Sequence, residues 1–276
     1  MVTSHDMFGQ ARLKLVWANE HIKQLNAAWN AFLKTDFCHL AVENQPPRPG
    51  IDDGGQVIVL KSVDPIPAEL PLLIGDAVHN LKAALDYTVS ELLGWKDTKR
   101  TFPMAKTREE LESSFRTDPE VIDGKTMGKG RNASIEEALP GIGAFILQEI
   151  RPYKAANGFL WPLNKLDVRD KHRLLVPLLI PQTVSGICAS DIFNNEVTGC
   201  AISVLPGQIN RAFGLGPGIV IKSYAKATAE ILFNEVGIIE RQPVLPTLVQ
   251  MSQAVAETID SMAEFASSVG WTRPEA

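Results

Sequence analysis

Three cysteines in 276 residues, at positions 38, 188 and 200, are too few and too scattered for a disulfide framework or a zinc ribbon. Long apolar runs are missing too. None approaches the roughly 20 residues that a membrane-spanning helix needs, so a membrane partner is not expected. The N-terminus, MVTSHDMFGQARLK, lacks the basic stretch and apolar core of a secretory leader. Basic charge is not in excess. With 27 Lys and Arg against 32 Asp and Glu, the net charge of −5 argues against a broad footprint for nucleic acid and leaves room only for a local basic groove. Internal repeats and low-complexity segments are absent as well. These absences predict a globular protein of a reducing cytoplasm. The hydrophobic share of 45% and charged share of 21% are ordinary for such a chain, and its length suffices for one large domain or two small ones.

The strongest signal lies at residues 72–93, LLIGDAVHNLKAALDYTVSELL. Leu73, Ala77, Val78, Leu81, Ala84, Leu85, Thr88, Val89 and Leu92 recur at steps of three and four, the period of a buried helical stripe. Pro71 suits the first turn, and Gly94 suits the position just past the end. Beside the apolar stripe runs a polar one, Asp76, His79, Ala83 and Asp86. Two carboxylates and an imidazole along a groove opened by alanine suit a divalent metal held by Asp76, His79 and Asp86, or a proton shuttle. A solvated face, or charges paired with a neighbouring Lys or Arg, is the plainer alternative.

The remaining elements frame this helix. Residues 5–34 read as a long helix capped by Ser4 or Asp6, with His21 at the edge of its stripe. Residues 37–43 and 56–63 read as strands of a hairpin with a long loop. Residues 107–116 read as a short helix with a near capping box, and 134–150 as a helix interrupted at Pro140. The loop between them contains Gly124-Lys125-Thr126. A phosphate-binding loop would require glycine at position 119, which is Pro119, so that reading is rejected. From residue 174 the pattern shifts to period two in short runs, which predicts four or five antiparallel strands, with Pro177 on an edge or bulged strand. A helix over 245–268 closes the chain. The expectation is an α+β fold, a bundle of long helices packed with a mainly antiparallel sheet. It is taken as a single domain over 1–276: helix-rich to 173, with a hairpin near 37–63, and sheet-rich over 174–240.

A second charged stretch, LNKLDVRDKHRLLVP, places Asp167 and Asp170 one helical turn apart, followed at once by Lys171 and His172. If it faces the helix at 72–93, then His79, Asp86, Asp170, His172 and Lys171 become catalytic candidates. A metal-activated water, or a histidine paired with an aspartate as general base, would serve hydrolysis of a small-molecule substrate. The same charges also suit an Asp–Lys–Arg cluster that fixes a helix end.

LIGDAVHNLKAALDYTVSELLG, TFPM, the helix ending IRPYK and LNKLDVRDKHRLLVP together resemble a widespread group of uncharacterised bacterial proteins, over roughly residues 1–180. In that group's first motif an Arg precedes a His by five positions. The arrangement is similar to the motif of HEPN-type helical ribonucleases and their inactive relatives. Here those positions hold Lys82 and Tyr87, and the missing imidazole removes the expected proton-transfer group. The resemblance implies an RNA- or protein-binding module of phage defence or a toxin–antitoxin system, with Lys82, Arg169, Lys171 and Arg173 as phosphate contacts. A purely structural role for both motifs is the third reading, and self-association stays open.

Overall fold

The structure is a computed structural model, described for residues 7–47, 49, 54–95, 101–122, 125–191, 193–203, 212–224 and 226–272, with the side chains of 120–126 and 212 left aside. The proposed caps Ser4 and Asp6, and Gly124 of the rejected phosphate loop, lie outside the described residues. The fold is α+β: helices and antiparallel sheets. The chain divides into two compact units. One draws on the described residues of Met1–Leu25, Pro71–Leu175 and Glu235–Ala276, the other on Asn26–Leu70 and Val176–Asn234.

Helix α1 (Gly9–Leu33) contributes its first turns to the helical unit and its last turns to the other. In the helical unit its partners are α2 (Glu69–Leu92) and α7 (Val244–Ser268). Of the predicted stripe of α2, Ala77, Val78, Leu81, Ala84, Leu85, Thr88, Val89 and Leu92 expose no surface, whereas Leu73 is half-buried and its neighbour Ile74 takes the buried place in the first turns. Each of the larger side chains contributes about 2 kcal/mol relative to leaving it in water. The helix ends where Gly94 turns left-handed (φ +60°), and the Trp95 N–H donates back to the Ser90 carbonyl at 2.8 Å. Glu91, only 3% exposed, accepts from the Gln10 and Ala11 N–H groups, both at 3.0 Å. It thereby satisfies two of the donors that the start of α1 leaves open, with a charge the helix dipole favours. On its other side α1 meets α7 through Arg12–Asp260 at 2.7 Å and a Ser252–Asn19 hydrogen bond at 2.6 Å.

Helix α3 (Arg108–Ser114) starts as its capping pattern predicts, with the Glu110 N–H donating to Thr107 Oγ1 at 3.2 Å. Pro140 separates α4 (Ala133–Ala138) from α5 (Ile142–Phe145), which runs into a π-helical turn, Ile146–Ile150. Helix α6 (Leu160–Asp170) buries Leu160, Leu163, Leu166 and Asp167. Among the described residues no helix is long and apolar enough to cross a membrane.

In the second unit the predicted hairpin pairs β1 (Cys38–Gln45) with β2 (Gly55–Val63). A tiny hairpin, β3 (Glu120–Ile122) with β4 (Lys125–Met127), belongs to the helical unit. The long strand is β5 (Leu178–Ser190), which runs through Pro181 with a register shift between Pro181 and Thr183. The runs LLVPLLI (174–180) and TVSGICAS (183–190), which the sequence punctuation reads as separate strands, therefore join in one strand from Leu178 on, because a bulge takes up the proline's missing N–H. Pro177 sits immediately before the strand. Strand β6 (Glu196–Ser203) lines one edge of β5. The other edge takes β8 (Val220–Ser223) and β9 (Ala227–Glu235). The remaining strand of this unit, β7 (Ala212–Gly214), joins β2 instead of β5. A short β10 (Ile239–Pro243) then leads into α7.

Candidate functional site

Helices α2 and α6 bring the two charged stretches together. His79 Nδ1 lies 3.0 Å from Asp167 Oδ1. Asp167 is 3% exposed, and its second oxygen accepts from Lys171 Nζ at 2.6 Å. An ionised carboxylate only accepts, so this contact requires the proton of a neutral His79 to sit on Nδ1. The basic lone pair is then on Nε2. No described residue bonds that nitrogen, and the imidazole side chain is 54% exposed. A buried anion thus holds an accessible base in one tautomer.

Asp170 lies one turn on. Its Oδ1 is buried and finds no hydrogen-bond partner among the described residues. The carboxyl packs against Gly75 of α2 so closely that a Cβ there would stand 2.6 Å from Oδ2 and 2.7 Å from Oδ1. Glycine is what lets the two helices meet at this point. Burial raises the pKa of Asp170 above the ordinary aspartate value, the Leu175 N–H opposes the rise, and the charges of Asp167 and Asp76 add to it. His79 pulls the other way. The exposed Asp76 therefore belongs to the same electrostatic neighbourhood.

Other expected residues lie elsewhere. Asp86 forms an ion pair with Lys82 and accepts from the Phe102 N–H at 2.8 Å. It stands ten residues from Asp76, roughly 15 Å along the helix axis, so the set Asp76, His79 and Asp86 does not converge on one ion. Among the described residues no three His, Cys, Asp or Glu side chains are placed to share a metal. His172 is exposed in the turn after α6, and its ring makes no hydrogen bond to a described residue.

The residues expected to touch phosphate are all engaged with carboxylates. Lys82 is 4% exposed and paired with Asp86, and Lys171 is paired with Asp167. Arg169 and Arg173 (the latter at 3.2 Å) both hold Glu235, a residue only 3% exposed. Tyr87 stands edge-on to Trp95 at 5.5 Å, with Lys14 over its ring at 5.8 Å.

Sequence reasoning noticed Asp167 as a charge and missed it as the partner of His79. The available signal was its place on the apolar face of α6, next to Leu163 and Leu166. A charge on a buried face must find a partner. Glu91, which follows Leu85, Thr88 and Val89 on the α2 stripe, carried the same signal.

No protein-family model matches this chain, and no curated protein or solved structure matches it.

Proposed function

We propose that this chain is a hydrolytic enzyme whose general base is His79, positioned by Asp167. One observation carries the reading: a buried carboxylate bonded to Nδ1 of a histidine whose other nitrogen stands open. The same division of labour, with an anion that orients and an imidazole that accepts, makes histidine basic toward a water or hydroxyl in many unrelated sites. His79 Nε2 takes the proton as the oxygen attacks. Asp167 then stabilises the imidazolium, and Lys171 accompanies the buried charge. Three unpaired cysteines suit a reducing cytoplasm as its location.

A structural role has its own support in the rest of α6. Arg169 and Arg173 clamp the buried Glu235, so these two residues fasten the end of the helix. The RNA-binding reading is weaker, since the cations it needs are held by carboxylates.

The test is a panel of chromogenic carboxylic and phosphoric esters, assayed with wild type, His79→Gln and Asp167→Asn. A general base is worth about 10²–10⁴ in rate, so kcat/KM should fall by that order in His79→Gln. Turnover that is unchanged in both variants would remove the reading.

A further inference from the structure

The starts of α6 and α7, with the chain around β10, enclose a cavity of about 330 Å³ that the base does not use. Every residue that lines it belongs to the helical unit. Small-molecule sites begin near about 300 Å³, so the space admits a guest of one or two rings. Its lining sorts by element. The start of α6 contributes apolar surface, the N-cap Phe159 and Pro162 one turn on. Helix α7 contributes only polar groups, Thr247 and Gln250, again one turn apart on one face. The chain around β10 supplies both kinds: Ile238 and Ile239 first, then Glu240 and Gln242.

The polar groups are unspent. Thr247 is only 3% exposed, yet it lines the cavity, and its hydroxyl has no hydrogen-bond partner among the described residues. A hydroxyl withdrawn from water without a partner costs stability, and a guest in the cavity would supply one. The amides of Gln242 and Gln250 bond to no described residue either, so each offers two donors and an acceptor. Between Glu240 and Gln242, Arg241 holds a left-handed backbone (φ +56°). Non-glycine residues in that conformation cluster at ligand clamps and active sites.

These walls discriminate among guests. A wholly apolar guest would leave two amides and a hydroxyl without partners. An anion would meet Glu240, and no described lysine or arginine lines the space to offset it. A sugar carries hydroxyls around its whole rim and would set some of them against Phe159, Pro162 and the two isoleucines. A flat heteroaromatic ring with an amino group suits both kinds of wall. Its face stacks on Phe159, and its edge offers an N–H and a ring nitrogen to the amides. Glutamine pairs bidentately with that edge in adenine, and a carboxylate accepts from the amino group of cytosine.

We propose that this cavity binds an amino-bearing heteroaromatic ring, a base or nucleoside of the adenine or cytosine type. Phe159 is the stacking surface, Gln242, Gln250 and Thr247 read the edge, and Glu240 accepts from the amino group. The inference does not rest on the reading of His79 as base.

The test follows the side-chain amide NMR signals of Gln242 and Gln250 in the full chain. The titrants are adenosine and cytidine, then inosine and uridine, in which an oxygen replaces the amino group. Methyl glucoside is the sugar control. Saturable shifts at both glutamines are expected with adenosine or cytidine. The nucleoside that binds should do so at least about ten-fold more tightly than its oxygen counterpart, whose carbonyl would face the Glu240 carboxylate. Thr247→Val keeps the shape and removes the hydroxyl, so affinity should fall about three- to ten-fold, the worth of one neutral hydrogen bond. Should that variant not fold, Gln250→Leu, at an exposed position, should show a loss at least as large, read at Gln242. His79→Gln should bind as wild type does. No saturable shift with either amino nucleoside up to about 5 mM, equal binding of the oxygen counterparts, tighter binding of methyl glucoside, or undiminished affinity in the folded variants overturns the proposal.

Discussion

Replacing Gly75 by alanine puts a methyl group where the carboxyl of Asp170 now sits. In an open helix the change would stabilise by about 1 kcal/mol, because alanine loses less backbone freedom than glycine on folding. Here the new Cβ would stand 2.6, 2.7 and 2.9 Å from the two oxygens and Cγ of Asp170, well inside contact distance. Relief requires the carboxyl to leave its place, with the Leu175 N–H it accepts from, or α2 to move away from α6. Overpacking of this kind costs about 1–3 kcal/mol, so Gly75→Ala alone should destabilise by about 1 kcal/mol. With Asp170→Ala already in place the obstacle is gone, and the same change should stabilise by about 1 kcal/mol. The sign reverses, and the coupling between the two positions is about 2 kcal/mol. Urea unfolding of the four proteins, compared through the same transition, measures it. If Gly75→Ala has the same effect in both backgrounds, the close approach of α2 and α6 is wrong, and with it the placement of His79 on Asp167.

Four further outcomes are expected. Asp170→Asn should stabilise the protein at neutral pH. A carboxyl whose folded pKa is raised adds stability below its unfolded pKa and loses it as pH rises through the folded value, so the advantage of Asn should shrink on acidification in parallel melts. Glu91→Ala strands two N–H groups at the start of α1 and should cost about 3 kcal/mol in urea unfolding, whereas Glu91→Gln, which still accepts, should cost less. Glu235→Gln removes the charge that Arg169 and Arg173 share. It should cost about 2 kcal/mol and leave hydrolysis by His79 unchanged in the ester panel. Burial, with Asp36 nearby, pushes the Cys38 thiol up to about 11, so a thiol reagent at neutral pH should label Cys188 and Cys200 well before Cys38.

The helices were legible because their stripes are long. Residues 72–93 predicted α2, found at Glu69–Leu92, and 245–268 predicted α7, found at Val244–Ser268. Strands were legible one by one but not in their joins. Pro181 hid the continuity of β5, and nothing local to Ala212–Gly214 announces that it pairs with β2, far back in the chain, in the register Val57↔Gly214. At the candidate site the polar stripe of α2 was plain, yet its members have different fates. Helical spacing put Asp76, His79 and Asp86 on one line, but a line of ten residues is too long for one ion. The fold gave two of its members different partners: Asp167 from α6 at His79, and Lys82 with the Phe102 N–H at Asp86. Which carboxylate meets a histidine 88 residues away is a tertiary fact that periodicity cannot carry.

The position of the proton on the His79 ring decides whether Asp167 orients it, and ring ¹⁵N NMR reads that position directly. Neutral His79 should carry its proton on Nδ1 and leave Nε2 bare, the reverse of the tautomer free imidazole side chains commonly favour, and Asp167→Asn should abolish that preference. A wild-type ring protonated on Nε2, or a tautomer mixture that Asp167→Asn does not alter, would contradict the claim that Asp167 positions His79 as a base.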